Sequence, residues 1–391
     1  MGGGFFQSLK SLFLLSEIEK FKSKIEVIIS HKEAVNYLKE KNINTKLFSQ
    51  NTFMRYFSEL FEIDLIKNLF DKIKIRHPFT RFIKKNKYDL IIFLGPSIMS
   101  KFCAEISFVS NIWDVDHKKN SQFPEHNSNF NFENKEKLYS YIIHKAFKIL
   151  APNQSIKKEL IDFYKANESR VIVQNFIPML PSLHKKNLEK RINYKKLFDK
   201  FDLPKNKKII FYPAQFWAHK NHKYLIDVLN ILKSRNNNNF FFVFCGDNKG
   251  NFNYIKNLIK DNKLETHVKI LNFINDNDVI SLYLNSNAIV MPTFCGPTNL
   301  PIFEAFYFKK IIFYTKDLIK DNELNDHLIN IDISNPEDFC EKLEICYEED
   351  KIENITKKNY EFYKKTCSED SFKTAYTKIL DEFDHLIKRW K

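Results

Sequence analysis

The chain has 391 residues, 43% hydrophobic and 28% charged, with a net charge of +14 and a pI near 9.2. This is the composition of a folded globular protein of roughly two to three domains, and it excludes a disordered, collagen-like or disulfide-stapled chain. The positive balance favours an anionic partner, but there is no arginine-rich tract or nucleic-acid module signature, so charge alone fits a Lys-rich solvated surface. Neither a secretory signal pattern nor an apolar stretch of bilayer-spanning length is apparent. Cys103, Cys245, Cys295, Cys340, Cys346 and Cys367 form no C-x-x-C pair, which fits a reducing compartment without structural zinc. A cytoplasmic protein is expected, with the inner membrane face as a candidate resting place.

The chain opens Met1-Gly2-Gly3-Gly4-Phe5-Phe6-Gln7 and passes at once into a helical pattern. A glycine loop feeding a helix N-terminus is how α/β folds approach a phosphate or sugar closely. Such a loop ordinarily follows the first strand of its sheet, and no residues are available for one here. Either the natural chain starts upstream or the sheet is built without that strand; a flexible tail is the plainer alternative. In residues 53–86, Phe57, Leu60, Phe61, Ile66, Leu69, Phe70 and Ile73 form an apolar face, followed by Arg76, Arg81, Lys84 and Lys85. That pattern suits either a core-facing helix or a segment lying on anionic lipid.

Short apolar runs then alternate with longer amphipathic stretches. In the first half they are Ile25–Ile29, Leu90–Leu94, Ile106–Ile112, Phe147–Ala151 and Val171–Asn175. In the second they are Ile209–Tyr212, Phe240–Cys245, Val268–Leu271, Ala288–Met291, Ile311–Tyr314 and Leu328–Ile331. Continuous Ile, Val and Phe over a few residues suits parallel strands buried on both faces. Between them, Tyr224, Leu225, Val228, Leu229 and Leu232 recur at helical spacing. The fold class is therefore α/β: two Rossmann-like doubly wound domains facing a cleft, the N-terminal one without its first strand. We expect domains at 1–183 and 184–370, and a helix over 371–391 that continues the second domain or crosses back to the first.

Ligands of open α/β sheets bind beyond the carboxyl ends of the strands. After Ile209–Tyr212 comes Pro213-Ala214-Gln215-Phe216-Trp217-Ala218-His219-Lys220-Asn221-His222. Lys220 is placed there to neutralise a diphosphate, and Gln215 to donate a neutral hydrogen bond; an exposed loop lysine is the plain alternative. After Ala288–Met291 comes a turn at Gly296-Pro297, capping residues Thr298 or Asn299, then Leu300, Pro301 and Glu304. The first-turn N–H groups suit an anion, and Glu304 suits two vicinal ribose hydroxyls, although a carboxylate there also answers the helix dipole. Weaker signals are Gly246-Asp247 and Asn272-Phe273-Ile274, the latter able to wall a base.

Together these segments resemble the retaining glycosyltransferases of family 4, which have the GT-B fold. The resemblance rests on Gly2–Gly4, Trp113-Asp114-Val115-Asp116-His117, Phe123-Pro124-Glu125, Ala151–Lys158, Pro213–His222, Gly246 and Gly296–Ala305. Its most specific pieces, Phe216–His222 and Gly296–Pro301, are similar to a branch of mannosyl- and hexosyltransferases of bacterial surface-polysaccharide and lipopolysaccharide assembly. It implies a nucleoside-diphosphate sugar donor, a mannose-like hexose, and a saccharide or lipid-linked acceptor. It also implies retained configuration and no metal or other cofactor. Donor-binding roles fall to Gly3, Gly4, Gln215, Lys220, Phe273, Ile274, Thr298, Asn299, Leu300 and Glu304, and catalytic roles to Asp114, His117 and Lys220. Three positions depart from the family pattern. Gln215 stands where Arg is usual, Gly296 where the first Glu of E-x7-E would fall, and Trp113-Asp114 where His-Asp is common.

Expected partners are thus the donor and acceptor, with an anionic membrane surface as a candidate and no nucleic acid. A nucleotide-sugar 2-epimerase of the same fold, a non-enzymatic polyanion-binding protein and a degenerate transferase are the competing readings.

Overall fold

The computed structural model describes residues 3–30, 32–39, 43–49, 52–61, 63–103, 106–189, 191–272, 274–296 and 300–389. Among them are twelve strands, all in parallel pairs: β1 (Val27–Ile29), β2 (Thr45–Leu47), β3 (Leu90–Phe93), β4 (Ser107–Asn111), β5 (Lys148–Ala151), β6 (Val171–Val173), β7 (Lys208–Pro213), β8 (Phe240–Cys245), β9 (Val268–Leu271), β10 (Ala288–Met291), β11 (Ile311–Thr315) and β12 (Ile329–Ile331). Eleven coincide with the apolar runs. β2, with the sequence Thr-Lys-Leu, is too short and polar to register as one.

The second sheet has the order β12-β11-β10-β7-β8-β9. This is the doubly wound order, with its reversal between β7 and β10. Every residue of β8, β10 and β11 is buried, because helices cover both faces. The helix His222–Ser234 buries Tyr224, Leu225, Val228, Leu229 and Leu232, the set its spacing predicts.

The N-terminal domain has two separate pieces of sheet, β1-β2 and β3-β4-β5-β6. The first described element is the helix Gly3–Ser16. Of the apolar face expected over 53–86, Phe57, Phe61 and Phe70 turn inward. The Phe61 and Phe70 ring centroids lie 4.8 Å apart, and His77 stacks on Phe102 at 3.8 Å. Burial, with Arg81 nearby, lowers the His77 pKa to about 4.

The last helix, Glu369–Ile387, lies on the N-terminal domain. Phe372, Tyr376 and Ile379 share a core with Leu14, Leu15, Ile18, Val109 and Leu150. Ser368 caps it by accepting from the Ser371 N–H at 3.2 Å, and Lys10 pairs with Glu369 at 2.5 Å. The chain therefore passes between the domains twice, near residues 174–179 and 366–369. The passages touch: the Asn175 amide donates to the Thr366 carbonyl at 3.4 Å, and the Cys367 thiol to the Phe176 carbonyl at 3.4 Å. All six cysteines are buried and none is disulfide-bonded. Among the described residues no helix is long and apolar enough to cross a membrane.

Ile379 is 1% exposed within this shared core. Replacing it with Ala should cost about 2–5 kcal/mol, the range for an Ile truncated in a packed interior. Guanidinium denaturation of the full chain measures this as a lowered midpoint.

Candidate active site

A cleft of about 560 Å³ lies between the carboxyl edge of the second sheet and the N-terminal domain. The loop after β7 is held from both sides. The Phe216 N–H donates to Asp247 O at 3.0 Å, and the buried Phe216 ring stacks on His222 with centroids 4.3 Å apart. A Cβ on Gly246 would lie 2.3 Å from the Ala214 carbonyl oxygen, so only glycine lets these two strand-end loops cross. The Tyr212 hydroxyl donates to the Lys220 carbonyl at 2.5 Å. Asn221 then takes a left-handed turn, φ 55°, which Asn tolerates, and opens the next helix. Lys220 is thereby fixed at the cleft wall.

The loop after β10 is laced to the first. The Phe294 N–H donates to His219 O at 2.8 Å, and the Tyr314 hydroxyl to Gly296 O at 2.7 Å. The helix Leu300–Tyr307 follows and carries Glu304, which accepts from the Tyr283 hydroxyl at 2.8 Å.

The N-terminal domain closes the other side. The Trp113 indole lies between two glycines: a Cβ on Gly4 would come within 2.4 Å of it, and one on Gly95 within 2.7 Å. Gly4 thus gives room to a tryptophan as well as lining the cleft. Asp116 reaches across, its Oδ2 accepting from the Gly296 N–H at 2.8 Å, while Lys119 lies 3.4 Å from its Oδ1. Glu125 accepts from the His219 backbone N–H at 3.0 Å and also from the His219 ring. Phe123 meets Phe294 at 5.3 Å, and the Cys295 thiol lies 3.9 Å from His126 Nε2.

Burial dominates the electrostatics. It lowers the Lys220 pKa, against the pull of Cys295, Asp116, Asp114 and Glu125. It raises Asp116 to about 6, assisted by Asp114 and opposed by Lys119 and the Gly296 N–H. It lowers His219 to about 4, so a neutral ring donates to Glu125. Glu304 rises to about 7, chiefly by burial. Its folded carboxyl holds a proton that the unfolded one loses near 4.5, so its contribution to stability falls as pH rises from about 4.5 to about 7 and is constant above.

Gly4, Asp114, Gln215, Lys220, Ile274, Leu300 and Glu304 all line this cleft. Gln215 also accepts from the Trp217 indole N–H at 3.2 Å. Gly3 begins the first helix, one residue before the lining. Phe273, Thr298 and Asn299 lie outside the described residues. His117 is not brought to the cleft. It is fully buried, 2.7 Å from Glu136 and 3.2 Å from the Tyr164 hydroxyl, and packs against Tyr139 and Phe132. Its neighbour Asp116 takes the position that the sequence suggested for it. The segment Trp113–His117 carried that signal without separating its two aspartates from its histidine. Glu125, which belongs to the Phe123-Pro124-Glu125 segment of the resemblance but was given no role, braces the cleft, and His126, Lys135 and Asp276 line it without a recognisable local signal. Among the described residues no three of His, Cys, Asp and Glu converge as a metal site would require.

Residues 193–362 match the family model for glycosyl transferases group 1. No curated protein sequence matches the chain. Several solved structures share its fold over nearly the whole length. A glycosyltransferase from Rickettsia africae is 20% identical, with a TM-score of 0.69 over 96% of this chain and 94% of that one. Anabaena HepE in complex with UDP-glucose is 16% identical, with a TM-score of 0.70 over 98% and 96%. WaaG, a glycosyltransferase involved in lipopolysaccharide biosynthesis, is 12% identical, with a TM-score of 0.64 over 97% and 96%. Residues 193–362 thus carry the similarity to the group 1 glycosyl transferases, and the whole chain shares the fold of these solved structures.

Proposed function

We propose that the cleft binds a nucleoside-diphosphate hexose and transfers the hexose, with retained configuration, to a hydroxyl of a saccharide or lipid-linked acceptor in surface-polysaccharide assembly. The observation that carries this reading is the meeting of Lys220 and Glu304 in one cleft, one after β7 and the other after β10, where the strand order reverses. A cation and a carboxylate lining one cleft suit the two ends of a nucleoside diphosphate. The UDP-glucose held by HepE supports a hexose donor, and the part of WaaG in lipopolysaccharide biosynthesis supports the acceptor class.

In this proposal Lys220 and the first-turn N–H groups of Leu300–Tyr307 stabilise charge developing on the departing diphosphate, in place of a metal ion. The acceptor oxygen attacks the anomeric carbon on the face the phosphate leaves. One C–O bond forms as the other breaks, and the acceptor proton passes to the departing phosphate oxygen. Glu304 accepts hydrogen bonds from the ribose. Asp116 stands where the Gly296 backbone leaves no side chain, so the N-terminal domain supplies a carboxylate to that wall. Closure of the two domains excludes water that would hydrolyse the donor.

Thermal-shift measurements with GDP-, UDP-, ADP- and dTDP-sugars test the donor site directly: one or more should raise Tm, and no shift with any would refute it. Lys220→Ala should weaken nucleotide binding by about 1.5–3 kcal/mol, the usual worth of a charge-assisted hydrogen bond. Incubation of donor without acceptor should yield no epimer.

Because the carboxylate form of Glu304 is the one that accepts from ribose, nucleotide affinity should rise with pH through about 7. Binding at pH 6 should be roughly ten-fold weaker than at pH 8. Calorimetry on Glu304→Gln, compared at both values, should show this difference removed, which separates it from titration of the nucleotide. Asp116→Ala should lower kcat/KM by roughly 10- to 100-fold while UDP affinity changes far less, as steady-state kinetics beside UDP calorimetry will show.

A further inference from the structure

We infer that Phe130 is a platform at the rim of the cleft on which a pyranose ring of the acceptor stacks, while the asparagine amides around it bind that sugar's hydroxyls. This role rests on the transfer reaction proposed above and adds to it residues that recognise the acceptor. Asn129 and Phe130 take left-handed backbone, at φ 55° and 56°, and among the described residues no other two consecutive non-glycine positions do so. Asn tolerates this conformation, but for a bulky aromatic residue it is a strained exception that its surroundings must hold in place. The strain displays the ring: Phe130 is 75% exposed.

The turn is anchored at both ends. It joins the helices Pro124–Asn127 and Asn131–Lys145, and the Asn131 N–H donates to the Ser128 carbonyl. The Asn131 amide donates to the Glu125 carbonyl at 2.7 Å, and the Phe132 ring packs 5.5 Å from His117. The turn also sits beside the cleft. His126 and Lys135, one on each side of it in the chain, both line that cleft. The four residues from His126 to Phe130 reach at most about 14 Å, which keeps Phe130 at the rim on the N-terminal domain's side.

The neighbours of the ring select the ligand. Asn127, Ser128 and Asn129 precede it and Asn134 follows it, all four exposed. An amide donates and accepts at once, which suits vicinal hydroxyls, and the electron-rich face of an aromatic ring suits the C–H face of a pyranose. A lipid surface or a protein partner calls for adjoining apolar area, and here a single exposed ring stands among polar neighbours.

Saturation-transfer NMR on the full chain tests this, with methyl α-D-mannopyranoside, methyl α-D-glucopyranoside and methyl β-D-galactopyranoside as probes, each with and without UDP. At least one should receive saturation at its ring protons. Phe130→Ala and Phe130→Asn should each weaken that hexoside's binding by roughly three- to ten-fold, while Phe130→Trp should retain it and report it as a change in emission that the wild type lacks. Asn suits a left-handed backbone, so Phe130→Asn should not lower Tm. The nucleotide-induced thermal shift reads the donor site separately and should be the same in all three variants. A wild type that binds a hexoside through Phe130 but shows no nucleotide shift would refute the donor site and support this one. Absence of transfer to every hexoside, or binding unchanged by Phe130→Ala and Phe130→Asn, would overturn the inference. So would a lowered Tm in Phe130→Asn, which would make the ring a packing element.

Discussion

The site depends on the parallel pairing of β10 with β7, in which Ala288 lies opposite Ile210 and Ile289 opposite Phe211. Parallel pairing makes both strands end at the same edge of the sheet. The reversal of strand order at this pair sends the helix after β7 to one face and the helix after β10 to the other, opening a crevice between them. Lys220 and Glu304 stand at the two lips of that crevice. β10 buries every residue and β7 buries Ile209–Tyr212, so the polar chemistry lies in the loops beyond them.

The second domain does not complete the cleft by itself. Its Gly296 presents a backbone N–H and no side chain, and the N-terminal domain answers with Asp116. Glu125 on His219 and Phe123 on Phe294 hold the same two surfaces together. The cleft wall is therefore shared, and each contact across it joins a loop near the proposed donor site to the domain proposed to receive the acceptor. Trp113 ties the opening helix into this arrangement by filling the space that Gly4 and Gly95 leave.

Most of the fold was legible because a strand of a covered parallel sheet is largely apolar, and eleven of the strands coincide with such an apolar run. β2 escaped because three half-buried or exposed residues, one of them Lys46, carry no such signature. Lys220 and Glu304 were legible because their places follow from strand order. Asp116 and His117 were not separable, since a residue apart on a short turn decides which side chain faces the cleft and which faces Glu136 and Tyr164. The apolar segment over 53–86 read as one face and is in fact two, because Phe57, Phe61 and Phe70 alternate with Leu65, Leu69 and Ile73 around the helices. Contacts between domains, such as Glu125 with His219, join residues 94 apart in the chain, and no local pattern announces them.

The return of the last helix to the first domain has a mechanical consequence. Two bodies joined by a single strand of chain can twist and swing in any direction. Here two strands cross side by side, bonded to one another at Asn175–Thr366 and Phe176–Cys367. Two adjacent attachment points define an axis, and they resist rotation that would wind one crossing around the other. Rotation about that axis is the domain motion the paired crossings restrict least, and it would change the separation of Asp116 from Gly296.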